Sequence, residues 1–398
     1  MSAWPKLTIE QCCTRVTSGG TPRRSNPDFF RGGTIPWIKT GELKDRVVDP
    51  SAIREWITEE AVNNSSAKVL PRNTVLMAMY GDGQTIGSLG LMRSPMSCNQ
   101  ACCAMIPNSD ICDAEFLFYA LQYYRSAWIK MAHGGAQRNL SGSIIREQKI
   151  AVPSLMIQQR IASILGTYDD LIEVNRQRIK LLEEMARRLF EEWFVRFRFP
   201  GHEVHTVIET QNGPLPETWQ HRPLEEMLVL QRGFDLPTSA RTPGAFPVIS
   251  ASGVHGTHAE AKISGPGIVT GRSGTIGNVM LIHENCWPLN TTLYVREFRL
   301  ASPVFALNLL RNLDLASRSG GAAVPTLNRN HLHNVLVVCP PSDLITRYET
   351  IAMAQCRAAY VVERQQACLR ASRDLLLPRL ISGNLSLSTA EHELEAVA

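Results

Sequence analysis

The 398-residue sequence lacks several features that define whole classes of protein. No apolar run approaches the roughly 20 residues that a membrane-spanning helix needs. The opening, MSAWPKLTIEQCC, has neither the basic region nor the apolar region of a signal peptide, which predicts a cytoplasmic protein. The 27 glycines and 23 prolines are scattered, which excludes a low-complexity or collagen-like chain. With 44% hydrophobic and 20% charged residues, the chain is expected to be globular, and its length suits two domains.

The ten cysteines are not spaced as a disulfide framework or a zinc site requires. Cys12 and Cys13 are adjacent, and so are Cys102 and Cys103, which is poor geometry for disulfides. Cys98 adds a third thiol near the second pair, but no second ligand pair follows. Buried, reduced thiols are therefore the better interpretation. The net charge of +4 is compatible with nucleic-acid binding without requiring it.

A long internal repeat is the most informative feature of the sequence. The run IPWIKTGEL at 35–43 precedes Thr-Ile-Gly at 85–87, and PVISASGV at 247–254 precedes the same tripeptide at 275–277. Asn99 then falls opposite Asn290, and later blocks keep the same order. The sequence therefore predicts two copies of one unit. Each copy is expected to mix strands with a helix, over 115–132 in the first and 304–313 in the second.

Each copy continues into a long helical pattern. Apolar residues recur at alternating spacings of three and four, and a lone helix of this length would leave its apolar stripe exposed. The two helices are therefore expected to pair as an antiparallel coiled coil, interrupted by the polar Asn175 and Arg178 in the first helix and Gln355 in the second. The residues assigned to this pairing, or to docking a partner, are Ile161, Tyr168, Leu171, Asn175, Leu182, Leu189, Tyr348, Ile351, Val362 and Leu369. The predicted fold class is α+β, with two duplicated mixed α/β domains separated by two long helices.

These patterns divide the chain into six segments. They are a first domain at 1–154, a first helix at 155–198, a linker at 199–215, a second domain at 216–341, a second helix at 342–385 and an acidic tail at 386–398. The tail is expected to be solvated, because it carries three glutamates and no lysine or arginine.

Catalytic signatures are incomplete in this sequence. Asp28 with Glu42 and Lys44 resembles the acidic-and-lysine set that holds magnesium in nucleases, but the second copy has Ser-Gly-Val in place of the second element. A phosphate-binding loop, a dinucleotide fingerprint and the Asn-Pro-Pro-aromatic run of adenine methyltransferases are all missing. The chain is thus predicted to be non-catalytic, with no catalytic or metal-binding residue assigned. An autonomous Mg-dependent nuclease remains as an alternative.

Polar and basic side chains in the loops of both copies are of the types that read DNA. Such side chains reach base edges and phosphates, and two similar domains could read two stretches of one duplex. The predicted DNA-binding residues of the first copy are Thr21, Arg23, Arg24, Lys39, Thr40, Tyr80, Gln84, Thr85, Gln137, Arg138 and Asn139. Those of the second copy are Arg232, Ser250, Ser252, Arg272, Ser273, Thr275, Thr326, Asn328 and Arg329. Trp37 and Trp287 are expected in the core. A protein-interaction scaffold without DNA binding is a second alternative.

Motifs across residues 1 to about 385 resemble the specificity (S) subunits of type I restriction–modification systems. The resemblance is carried by SGGTP at 18–22, IPWIKTGEL, the CNQA segment and the long block from 138 to 194. It implies two target-recognition domains, each reading one half of a bipartite, asymmetric target in double-stranded DNA. It also implies that the helices dock two methyltransferase (M) subunits and that restriction (R) subunits join them. S-adenosylmethionine, ATP and Mg would be used by those partners, with no cofactor bound by this chain.

Overall fold

A computed structural model describes residues 4–81, 85–131, 138–320 and 325–395. The chain folds into two compact units, Met1–Val174 with Gln366–Ala398, and Asn175–Gln365. Each unit thus combines one mixed domain with parts of both long helices, whereas the sequence patterns treat the helices as segments of their own. Among the described helices, none is long and apolar enough to cross a membrane.

The first unit is built on a five-stranded sheet. Its strands lie in the order Cys13–Ser18, Cys102–Pro107, Val75–Ala78, Leu89–Met92 and Arg46–Val48, and only the last pair is parallel. The strand Val75–Ala78 is apolar without alternation because both of its faces are buried, Met77 in one core cluster and Leu76 in another. The helix Ala114–Met131, at the position predicted, buries Phe116 in the first of these clusters.

Shorter elements complete the first unit. Ile35–Ile38 pairs with Trp56–Ile57 and Ser97–Cys98, Lys6–Thr8 with Lys149–Ala151, and Tyr80–Gly81 with Arg138–Asn139. Short α-helices span Ile9–Cys12, Glu59–Asn63 and Gly142–Glu147, and 3-10 turns span Pro27–Phe29, Thr40–Glu42 and Pro50–Ala52. Each short α-helix begins after a serine or threonine whose hydroxyl oxygen accepts a hydrogen bond from a backbone N–H of the first turn.

The second unit has a four-stranded antiparallel sheet. Its strands lie in the order Leu228–Arg232, Thr292–Phe298, Gly267–Gly271 and Val279–Ile282, and the predicted helix is found at Pro303–Asn312. Phe246–Ser250 pairs with Gly253–His258 and Trp287–Pro288, Gln220–Pro223 with Leu336–Cys339, and Val207–Thr210 with Gly213–Pro216. The remaining α-helices are Leu224–Met227 and Arg329–His333, and 3-10 turns span His202–Val204 and Thr238–Ala240.

The two sheets share one topology, which confirms the duplication. Four strands of the first sheet have counterparts in the same order in the second, and the first unit adds Arg46–Val48 at one edge. Each unit also has a short parallel pair, in which Trp37 faces Ser97 in the first unit and Val248 faces Trp287 in the second. Each parallel pair therefore contains one tryptophan, which lies on the earlier strand in the first unit and on the later strand in the second unit. Both tryptophans are buried, as predicted.

The two long helices span Leu155–Phe190, extended by a π-helical turn at Glu191–Val195, and Ser342–Ile381. Within the first unit they run antiparallel, because Arg373 contacts Asp169 while Gln366, earlier on its helix, donates to the main-chain oxygen of Ile172, later on the other, at 2.9 Å. The predicted antiparallel pairing is therefore confirmed there. Within the second unit the same two helices also pack together, and the Tyr348 hydroxyl donates to the main-chain oxygen of Ala186 at 3.2 Å.

The contact face of the second long helix differs from the predicted one at one position. Ile351 is 44% exposed, and the buried residues of this stretch are instead Ala352, Cys356 and Ala359. Small side chains are suited to this stretch because Tyr348 and the aromatic Phe194 of the first long helix already fill the adjoining core. The other assigned residues of the pairing are buried or half-buried, namely Ile161, Tyr168, Leu171, Asn175, Leu182, Leu189, Tyr348, Val362 and Leu369.

The predicted solvated tail is wrong over its described residues. Leu387–Glu395 forms a helix in which Ala390 is fully buried in the core of the first unit. Leu387 and Leu394 pack against the same core, and Glu391 forms a bidentate ion pair with Arg160. Between the glutamates, Leu387, Ala390 and Leu394 form an apolar stripe with spacings of three and four residues. Such a stripe is sufficient to dock a short helix.

Candidate nucleic-acid interface

Four residues of the first unit form a compact charged cluster, here called the Trp37 cluster: Arg24, Trp37, Lys39 and Glu55. The Arg24 guanidinium lies 4.8 Å from the centre of the Trp37 ring, and the Lys39 amine lies 5.6 Å from it. Both cations form ion pairs with the Glu55 carboxylate. The buried indole donates to the main-chain oxygen of Gly20 at 2.9 Å, so it also anchors the loop that carries Thr21, Arg23 and Arg24.

The cluster concentrates positive charge at the protein surface. Burial lowers the pKa of Lys39 from its ordinary value, and the positive charges of Arg24 and Arg54 lower it further. Arg54 is exposed, and 52% of the Arg24 side chain is exposed. Three cations thus lie near one another, and Glu55 is the counter-ion shared by Arg24 and Lys39, an arrangement that can exchange Glu55 for a phosphate.

Asp28, Glu42 and Lys44, the residues of the nuclease alternative, are not arranged as the ligands of a metal ion would be. Both oxygens of Glu42 accept backbone N–H hydrogen bonds, from Lys39 at 2.7 Å and from Arg54 at 3.0 Å. Glu42 therefore stabilises the turn that follows Ile35–Ile38. Asp28 and Lys44 are exposed. Across the described residues, no group of three or more histidine, cysteine, aspartate or glutamate side chains is arranged to hold a metal ion.

The second unit has a related charged region. The Lys262 amine lies 4.6 Å from the centre of the Trp287 ring, and the ring meets His258 edge-on at 5.1 Å. Arg232 lies 3.7 Å from the carboxylate of Asp235. Arg272 donates to the main-chain oxygen of Asn290 at 3.5 Å, so the predicted Arg232 and Arg272 both border the loop around Asn290.

One alignment made from the sequence is wrong by a single residue. Gly20 N–H bonds to Cys98 in the first unit, and Phe234 N–H bonds to Pro288 in the second, which makes 98 and 288 equivalent positions. Gln100, rather than Asn99, therefore corresponds to Asn290. The same bonds make Thr21 equivalent to Asp235. A Cβ added at Gly19 or at its counterpart Gly233 would lie 2.2 Å from a main-chain oxygen, so both turns require glycine for close approach.

Two further groups of predicted residues meet at the ends of sheet strands. Tyr80, 43% exposed, pairs through its backbone with Asn139, and Ser273 forms the equivalent bridge with Thr326. Arg138 is the neighbouring strand residue, and the side chains of Arg138 and Asn139 are not described. Gln84 and Gln137 lie outside the described residues.

The remaining predicted residues lie in separate turns. Ser250 bonds to Ser252 at 3.0 Å within the hairpin that ends Phe246–Ser250. The Asn328 side chain caps the helix Arg329–His333, whose first residue is exposed. Thr40 and Thr85 are half-buried, and Thr275 is exposed. The structure therefore places many of the predicted residues near the turns at Gly19 and Gly233 or at the strand ends that carry Tyr80 and Ser273. The other predicted residues lie apart from these four places.

Sequence reasoning missed Glu55, Gln100, Asp235 and Asn290 as members of these clusters. Glu55 pairs with residues 31 and 16 positions earlier, a separation that no local pattern reveals. The glycines at 19 and 233 were the available signal, since aligning the repeat on them brings Gln100 opposite Asn290.

Comparisons with known proteins agree with this architecture. Residues 1–184 match the family described as type I restriction modification DNA specificity domain. The chain is 25% identical to the type I restriction enzyme MjaIX specificity subunit of Methanocaldococcus jannaschii, over 93% of this chain and 91% of the relative. It is 29% identical to the EcoR124I/EcoR124II specificity subunit of Escherichia coli, over 47% and 46%. The crystal structure of a type I restriction–modification S subunit from M. genitalium has the same fold, with a TM-score of 0.64, 18% identity and coverage of 95% and 96%.

Proposed function

Since this chain belongs to the specificity subunits of type I restriction–modification systems, we propose that each of its two units reads one half of a bipartite, asymmetric target in double-stranded DNA. The observation that carries the proposal is the repetition of one loop arrangement in both units. In each unit a glycine turn and a strand-end bridge occupy equivalent places, and basic side chains lie near the turn at positions that differ between the units. Two equivalent surfaces of unlike sequence suit two unlike half-sites.

The predicted contacts divide into two kinds by chemistry. Arg23, Arg24, Lys39, Arg232 and Arg329 would position the phosphate backbone, because cations bind phosphate without regard to sequence. Tyr80, Asn139, Ser273 and Thr326 would lie nearer the bases, since they occur together at strand ends. The remaining predicted residues are also proposed to contact DNA, each as part of the surface of its own unit.

The helices and the partners belong to the same proposal. The long helices would dock two methyltransferase (M) subunits through their exposed apolar side chains, among them Met156 at 73% and Leu181 at 61% exposure. Restriction (R) subunits would join that complex in the cytoplasm. The partners, and not this chain, would use S-adenosylmethionine, ATP and Mg. The nuclease alternative loses its support because the Glu42 oxygens already bind two backbone amides.

The test is duplex selection at controlled salt. The full chain, alone and with its M partner, is incubated with a randomised duplex library, and bound duplexes are sequenced. We expect a split motif, and a binding constant that falls steeply between 50 and 200 mM salt, as about six to ten bound phosphates would produce. Arg23→Ala should reduce the salt slope, whereas Arg188→Ala, a matched loss of charge on a long helix, should not. Salt-independent binding, or no enriched motif, would contradict the proposal.

A further inference from the structure

The equivalent glycine turns carry a matched pair of polar side chains, of which only Thr21 is among the proposed DNA contacts. In the first unit the Thr21 hydroxyl donates to the amide oxygen of Gln100. In the second unit the amide nitrogen of Asn290 donates to the Asp235 carboxylate. Because 21 corresponds to 235 and 100 to 290, the same two positions touch in both copies. An amide side chain is thus held at one place in each unit by the residue two positions after the glycine at 19 or 233.

In the second unit the partner residue determines which end of the amide is left available. An ionised carboxylate only accepts hydrogen bonds, so Asp235 binds the nitrogen of Asn290 and leaves its oxygen facing outward as an acceptor. The Thr21 hydroxyl donates to the oxygen of Gln100 and leaves the Gln100 nitrogen as a donor, but a hydroxyl can also accept, so Thr21 does not restrict the amide to this orientation. Gln100 is exposed and Asn290 is half-buried, so both amides can be reached from outside. The two turns therefore present opposite hydrogen-bonding groups.

Positive charge lies beside the amide in both turns. Arg232 is 3.7 Å from Asp235, and Arg272 reaches the main chain of Asn290. In the first unit Arg23 and Arg24 lie two and three residues after Thr21. Cations at this position would hold a phosphate, and the amide between them would then reach a base edge.

We infer that Gln100 and Asn290 are equivalent base-reading residues with opposite hydrogen-bond polarity, and that Asp235 is the positioning residue that fixes the polarity in the second unit. This inference rests on the proposed function. Asn290 would accept from an exocyclic amino group, which adenine and cytosine carry in the major groove. Gln100 would donate to an acceptor such as guanine O6 or N7, or thymine O4.

The experiment repeats the duplex selection with four variants of the full chain, alone and with its M partner. Asn290→Ala should reduce discrimination by about tenfold at one base position in one half of the motif, and Gln100→Ala should do so at one position in the other half. Asp235→Asn should broaden preference at the same position as Asn290→Ala, because an amide at 235 can donate or accept and lets Asn290 turn over. Gln159→Ala, an exposed amide on the first long helix, is the matched control and should change no position.

The outcomes separate this inference from the proposed function. If the unaltered chain selects no split motif, the proposed function fails. If it does select one, but the variants weaken all duplexes equally or leave every position unchanged, the inference alone is overturned. Asn290→Leu, which keeps the size and removes the outward acceptor, serves as the second variant if thermal melting shows that Asn290→Ala is not folded, and it should reduce discrimination at the same base position.

Discussion

Arg373 donates a hydrogen bond to the carboxylate of Asp169, a residue 204 positions earlier on the other long helix. Tyr119 donates to the second oxygen of the same carboxylate at 2.7 Å. Asp169 thus ties together the first long helix, the second long helix and the helix Ala114–Met131. Burial and this carboxylate together raise the pKa of Tyr119 far above its ordinary value, so the phenol stays a donor throughout the physiological range.

Asp169→Ala is therefore expected to destabilise the first unit. The change leaves the largely buried Arg373 with only its exposed neighbour Asp374, and it leaves the Tyr119 hydroxyl without its acceptor. Because about a fifth of each charged side chain is exposed, we expect a cost of about 1–3 kcal/mol, below that of a fully buried pair. Urea unfolding of the full chain measures it. Arg196→Ala, which removes an exposed pair on the same chain, should have little effect.

Glu55→Gln is expected to tighten binding to any duplex. In the free protein Glu55 neutralises Arg24 and Lys39, and its removal frees both cations for phosphate. Affinity should rise severalfold without a change in the selected motif, and the slope of log affinity against log salt should steepen by about 0.9 for each additional phosphate that the protein neutralises. A salt series with one fixed duplex measures both.

Glu59→Gln makes the same change in net charge on an exposed residue close by and is the matched control. Equal increases in affinity from the two variants would show that overall charge, and not release of the Trp37 cluster, is responsible.

Local patterns and long-range register were predictable to different degrees. The helices over 115–132 and 304–313 were found within a residue because their periodicity is a local property. The alignment of Asn99 with Asn290 was wrong because it followed residue identity, whereas the hydrogen bonds from Gly20 and Phe234 to the facing strands determine which positions match. The sequence predicted Gln355 as the polar residue between the helices, whereas the buried amide there is Gln366. The pattern of one helix alone does not reveal which polar residue faces the partner helix.

Stability of the second unit should fall in mild acid because of His333. Its Nε2 accepts from the backbone N–H of Leu230 at 2.9 Å, and burial lowers its pKa below the ordinary value of 6.5. The unfolded chain therefore takes up a proton near pH 6.5 while the folded chain resists it. The stabilising contribution is complete above pH 6.5 and is lost as the pH falls toward the lowered folded-state pKa.

His333→Gln keeps an acceptor for Leu230 but does not titrate, so it should reduce the difference in melting temperature between pH 8 and pH 5.5. Its matched control is His255→Gln at an exposed position, which should leave that difference unchanged. An unaltered pH dependence in His333→Gln would show that another group is responsible.

Exchange of the first domain should alter one half of the recognised sequence. The strand Lys6–Thr8 pairs with Lys149–Ala151, so a transplant must carry both strands and end at Pro153, before the helix that begins at Leu155. A chimera in which residues 1–153 come from another specificity subunit keeps the second unit's turn 232–236 and its Asn290 intact. Duplex selection, or mapping of methylated adenines in cells that contain the M partner, should show a new first half and an unchanged second half. A change in both halves, or in neither, would mean that the two units do not read DNA independently.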